Sequence, residues 1–102
     1  MALSDKDMGL LERKFAMYIL LSVDKHPLST KKEIIKLSEG FEKTKFIRIQ
    51  ELMDAGLIEY RKNADTRNRA KIVLTEDGKK IVASIKVIRR ILSKLSEEDL
   101  DD

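Results

Sequence analysis

The sequence predicts a mostly helical α+β domain, with a two-stranded hairpin inserted between a pair of short helices and a long closing helix. Three observations carry that expectation. The stretch 52–78, LMDAGLIEYRKNADTRNRAKIVLTEDG, reads as a helix end, two short strands around a basic loop, and a new helix start. Upstream, two amphipathic segments flank Glu39-Gly40-Phe41, the pattern of two helices joined by a glycine-bearing turn. Downstream, apolar residues recur at spacings of 4, 3, 4 and 3 from Ile81 to Leu95, a helical seam. Together these describe a winged helix-turn-helix: three helices, a two-stranded β-hairpin wing and a long C-terminal dimerisation helix.

Composition bounds what such a chain does. At 102 residues it is long enough for one domain with a small core. With no cysteine it offers neither a disulfide framework nor a thiolate metal site. Its longest apolar run, Phe15 to Leu21, falls far short of the ~18 residues of a membrane span. The start, Met1-Ala2-Leu3-Ser4-Asp5, has no basic region followed by an apolar one, so a cytoplasmic, nucleoid-associated protein is expected. Net charge is +3, yet five acids lie within Glu97-Glu98-Asp99-Leu100-Asp101-Asp102. Removing them from the 18 acids leaves 13 against 21 bases, so residues 1–96 carry +8. A basic body with an acidic tail suits a polyanionic partner. Residues 1–96 are therefore expected to form the domain, and 97–102 a disordered tail. Abundant Lys, Glu and Ile beside two Asn and one Gln match hyperthermophile usage.

Ser4 ahead of Asp5 and Asp7 is a cap for a first helix over about residues 5–23. Leu11, Phe15, Tyr18 and Ser22 share one face, and Leu10, Met17 and Leu21 another. A helix apolar around so much of its circumference is buried on more than one side. The second side belongs to a partner subunit, or else the helix is wrapped by its own chain. His26-Pro27 ends the element, because a residue before proline is pushed out of the α region.

Thr30-Lys31-Lys32-Glu33 fits a capping box that opens a second helix, about 31–38, with Ile34, Ile35 and Leu37 inward. A third helix, about 42–55, has Phe46, Ile49, Leu52 and Met53 as its apolar stripe. That phase points Lys43, Thr44, Lys45, Arg48 and Glu51 outward. The third helix is the recognition helix of the pair, expected in a major groove. Arg48 is suited to a bidentate contact with guanine, Thr44 to phosphate or a thymine methyl, and Lys43 and Lys45 to phosphates.

Gly56 then takes the positive-φ position of a helix C-terminus. Leu57-Ile58-Glu59-Tyr60-Arg61 and Lys71-Ile72-Val73-Leu74 are the strands, rich in β-branched and aromatic residues. The wing, 62–70, and its flanks bring together Arg61, Lys62, Arg67, Arg69 and Lys71, a basic tip for backbone or a narrow minor groove. Asp65 is expected to hold an arginine in place. Thr75 caps the last helix, about 76–96. Its seam of Ile81, Ile85, Ile88, Leu92 and Leu95 covers about 21 Å at ~1.5 Å per residue. So much apolar surface predicts a homodimer, with Leu10, Met17, Leu21, Ile81, Ile85, Ile88, Leu92 and Leu95 at the interface.

The stretch resembles the MarR family of winged-helix transcription regulators and their archaeal relatives. The resemblance rests on Leu52…Ala55-Gly56-Leu57-Ile58, on the wing Asp65-Thr66-Arg67-Asn68-Arg69-Ala70-Lys71, and on Val73-Leu74-Thr75-Glu76-Asp77-Gly78. It spans roughly residues 28–95, and this wing is one residue shorter than the family pattern. The resemblance implies double-stranded DNA binding, a dimer made by the terminal helices, and in many relatives a small-molecule effector, for which these residues give no support.

No catalytic constellation is legible. His26 is the single histidine, beside Pro27, and reads as a surface or capping residue. Ser and Thr lack a matching base, acids lack metal-ligand spacing, and no glycine-rich phosphate loop or cofactor motif occurs. The sequence therefore predicts a homodimeric, sequence-specific DNA-binding transcription regulator. A weakly specific protein coating DNA and a winged helix used for protein–protein contact are the other readings.

Overall fold

The computed structural model describes residues 5–37, 39–61 and 70–101, with side chains described from Met8 to Ser96 within those limits. The elements run α1 (Asp5–Glu12), α2 (Ala16–Lys25), α3 (Lys31–Lys36), α4 (Glu42–Asp54), β1 (Ile58–Arg61), β2 (Lys71–Leu74) and α5 (Glu76–Asp101). This is the mostly helical α+β winged helix that the sequence predicts.

The first helix departs from expectation. It breaks into α1 and α2 at Arg13–Phe15, where Phe15 takes a left-handed conformation, φ 72°. A bulky residue adopts that conformation only when its surroundings hold it there. Here the Phe15 ring lies against Gly40, where an added Cβ would come within 2.5 Å of Phe15 Cζ. The aromatic ring thus occupies space that only glycine leaves open.

Capping follows the sequence closely. Glu33 N–H donates to Thr30 Oγ1 at 3.2 Å, and Thr30 N–H donates to Glu33 Oε1 at 2.8 Å, a reciprocal box. At α5, Gly78 N–H donates to Thr75 Oγ1 at 3.0 Å, while that hydroxyl donates to Gly56 O at 2.6 Å. Thr75 therefore ties the start of α5 to the end of α4. Gly56 sits at φ 80°, as the turn out of α4 requires.

Strands β1 and β2 pair antiparallel, with Ile58 opposite Leu74 and Arg61 opposite Lys71. Ser29 adds a one-residue bridge on the outer side of Ile72: Ile72 N–H donates to Ser29 O at 2.7 Å. One core joins these parts. Ile19, Leu20 and Val23 of α2 meet Ile34 and Ile35 of α3, Ile49 and Leu52 of α4, Ile58, Ile72 and Leu74 of the hairpin, and Val82 and Ile85 of α5. Each such side chain, fully buried, contributes about 1.5–3 kcal/mol relative to exposure. Helix α2 lies at the centre, in contact with α1, α3, α4, β2 and α5.

Helix α5 continues to Asp101, so the backbone of 97–101 prolongs the helix where the sequence predicts a disordered tail. Glu, Asp and Leu follow Ser96 without a glycine or proline to stop it. At 26 residues it is about 39 Å long at ~1.5 Å per residue. Its C-terminal half outruns the body, and the molecule extends 55 Å along its longest axis.

Candidate nucleic-acid interface

Helices α3 and α4 form the helix-turn-helix, and the core sets the roll of α4 about its axis. The inward residues are Lys45, Ile49 and Leu52 rather than the Phe46, Ile49, Leu52 and Met53 stripe. The helix is thus rolled by roughly 40° from the phase expected from sequence, given ~100° between successive residues at 3.6 per turn.

That roll corrects two expectations. Lys45 does not project to solvent: it is 1 % exposed, and its ammonium donates to Ile35 O at 3.1 Å and lies 5.3 Å from the Phe15 ring centre. A carbonyl near the end of α3 needs a donor, and a cation is favourable there. Arg48 is likewise withdrawn, with a side chain only 12 % exposed. Its Nε–H donates to Lys14 O at 2.8 Å, and its guanidinium pairs with Glu51. Arg13 pairs with the same Glu51 carboxylate. The left-handed kink at Phe15 brings Lys14 O and the Phe15 ring onto α4, where they meet Arg48 and Lys45.

Other sequence-predicted contacts stay accessible. Lys43 is exposed and Thr44 half-buried. Phe46, expected inward, is instead partly exposed beneath the Lys31 ammonium, 5.5 Å from its ring centre. Sequence reasoning passed over Ile47 and Gln50. Both are exposed and share with Lys43 the face opposite Lys45, Ile49 and Leu52. The signal for them was the 45-49-52 spacing, masked by five apolar residues spread over half the helix circumference.

On the hairpin, Arg61 is exposed and lies 4.0 Å from the Glu59 carboxylate, and Lys71 is half-buried opposite it. Lys62, Asp65, Arg67 and Arg69 lie outside the described residues.

The residues expected at a dimer interface divide between core and surface. Ile85 is 7 % exposed and belongs to the intramolecular core, because the first half of α5 packs on α2 and β2. Its seam role within a dimer is corrected accordingly. Ile81, Leu10 and Leu21 are partly buried against that core. The same α5 stripe then leaves the body: Ile88, Leu92 and Leu95 are more than half exposed, flanked by Val87 and Ile91. On α2, Met17 and Tyr18 are also open. An open concavity of about 790 Å³ lies between α2 and α5, bordered by Tyr18, Leu21, His26 and Arg89. His26 ends α2 at the surface, its carbonyl accepting from Ser29 Oγ at 2.8 Å. Among the described residues no cluster of His, Cys, Asp or Glu is placed to hold a metal ion, and no helix is long and apolar enough to cross a membrane.

This architecture is a winged-helix fold, and solved transcription regulators share it. It superposes on a possible HxlR family transcriptional factor from Thermoplasma volcanium GSS1 with a TM-score of 0.73 at 24 % identity, covering 93 % of this chain and 84 % of that one. A MarR family transcription regulator, SP03579, gives 0.76 at 24 % identity over 88 % of this chain and 62 % of that one. The MarR protein of Staphylococcus aureus, solved in complex with salicylate and kanamycin, gives 0.73 at 18 % identity over 89 % and 63 %. The chain thus spans under two thirds of the length of both MarR proteins. No family model matches the sequence, and no curated protein does. At these identities the likeness establishes the HxlR- and MarR-type winged-helix fold.

Proposed function

We propose that this protein is a homodimeric, sequence-specific regulator of transcription that binds double-stranded DNA and is not an enzyme. The observation that carries the reading is the helix-turn-helix itself. Helix α4 buries one face on the core through Ile49 and Leu52 and leaves the opposite face open along its length, in a fold shared with solved transcription regulators. Helix α4 enters the major groove, and the wing, 62–70, with Arg61 and Lys71 at its base, lies on backbone or in the minor groove. The net +8 of residues 1–96 supplies attraction to phosphate.

Support for the dimer comes from α5. Its apolar stripe serves the core at Ile81, Val82 and Ile85 and runs on, uncovered, through Ile88, Leu92 and Leu95. A second copy covers this stripe, together with Met17 of α2. Two-fold symmetry then places half-sites about 34 Å apart, or at a multiple of that.

The test is fluorescence anisotropy with the duplex upstream of the protein's own gene, a scrambled duplex and a selected random library, across a salt series. A specific regulator binds a preferred duplex ~10³-fold or more above scrambled DNA at physiological salt. Equal affinity for every duplex with a steep salt slope would instead identify a coating protein. Absence of binding to any duplex at low salt would refute DNA binding and leave the protein–protein role.

A further inference from the structure

We propose that base readout by α4 runs through Ile47 and Gln50, with Lys43 on phosphate, and selects A·T pairs in each half-site rather than guanine; this rests on the DNA-binding reading above. The roll of α4 decides it. Residues 43, 47, 50 and 54 are spaced 4, 3 and 4 apart and lie opposite Lys45, Ile49 and Leu52. All four are exposed.

The chemistry of that face suits one kind of base pair. Gln50 Nε2 donates to Asp54 Oδ1 at 3.0 Å, which restrains the amide one turn from the end of the helix. The second N–H of Nε2 and the carbonyl Oε1 then remain for base contact. That donor and acceptor match adenine N7 and the adenine N6 amino group, the bidentate pairing that glutamine makes in a major groove. Ile47 is 49 % exposed, although a helix directed only at water gains nothing from a bare isoleucine there. The apolar feature that the major groove offers is the thymine methyl group. Lys43, one turn towards the N-terminus, is a point charge for phosphate.

Guanine is read most often by an arginine or lysine in the middle of the recognition face, and the middle of this one holds Ile47 and Gln50, with Lys43 at its N-terminal end. Arg48, the one arginine of α4, is committed to Lys14 O and Glu51. Releasing it would undo the docking of the α1–α2 junction on α4. Lys43 and Asp54 offset each other in charge, so the face adds discrimination more than affinity. Beyond the single contact from Lys43, phosphate attraction comes from the other bases of the chain.

The experiment is selection of duplexes from a random library by the full-length protein, compared with Gln50→Ala, Gln50→Lys and Ile47→Ala. All three changes are at exposed positions, and thermal melting confirms that each variant stays folded. The parent is expected to enrich a motif with A·T pairs at a fixed position of each half-site. Gln50→Ala loses about tenfold in discrimination at one adenine, Ile47→Ala a smaller factor at a neighbouring thymine, and Gln50→Lys moves the preference at that position towards guanine. The slope of affinity against salt stays the same for the two alanine variants. If the parent enriches a motif that is identical in all three variants, the base-readout proposal is wrong while sequence-specific binding stands. If the parent enriches no motif, or retains no duplex, the regulator reading itself fails and this proposal with it.

Discussion

Alanine for glycine inside a helix ordinarily stabilises, by about 1 kcal/mol in helix propensity. At Gly78, in the first turn of α5, the sign should reverse. An added Cβ would lie 2.0 Å from Leu57 O and 3.3 Å from Leu74 Cδ2, against a practical limit near 3.0 Å. The blocking atom is backbone, and it already accepts from Thr75 N–H at 3.1 Å. Relief therefore means moving α5 by about 1 Å relative to the turn after α4. A gap of that size forfeits a quarter to a half of each van der Waals well it opens, and Val82 and Ile85 follow the helix out of the core. Overpacking of this kind costs about 1–3 kcal/mol, more when backbone must shift, which outweighs the propensity gain. The expected net loss is about 2 kcal/mol, or roughly 10 °C in Tm for a domain of this size. Gly9→Ala is the control: nothing lies within 4 Å of its added Cβ, so it should stabilise by a few tenths to about 1 kcal/mol. Urea denaturation followed by circular dichroism, at one fixed protein concentration, measures both. A Gly78→Ala protein as stable as the parent would refute the close approach of α5 to Leu57.

Three further expectations follow from particular contacts. Lys45→Met keeps the aliphatic stem but strips Ile35 O of the Lys45 ammonium, so it should lose about 1–2 kcal/mol; a variant more stable than the parent would show that the ammonium is a burden there. Lys86→Ala breaks the 2.7 Å pair with Asp24 between α5 and α2, yet these side chains are 48 % and 32 % exposed, so the loss should stay below about 1 kcal/mol and shrink in high salt. Leu92→Glu puts a charge on the uncovered α5 stripe, and sedimentation should then report a folded monomer beside a dimeric parent; an unchanged dimer would place the interface elsewhere.

The order and type of the elements were legible because each has a local cause. Thr30 and Thr75 cap helices through bonds within three residues, Gly56 supplies a left-handed turn, and two β-branched runs flank a polar loop. The apolar seam of α5 was equally visible as a periodicity. Other features needed the folded chain. Phe15 is helix-forming by pattern, and only the space above Gly40, 25 residues away in sequence, holds it in the left-handed conformation that splits the first helix. Ile85 and Leu92 stand in the same seam and look alike in sequence, but one meets α2 and the other lies past the edge of the body.

The sequence by itself determined a winged helix with a basic body, since propensity, capping and periodicity act over a few residues. The roll of α4, and hence whether Arg48 or Gln50 faces outward, was decided by the tertiary structure alone. Apolar residues cover half of that helix, so several phases bury similar area. The balance is tipped by partners distant in sequence: Ile35 O for Lys45, and Lys14 O for Arg48.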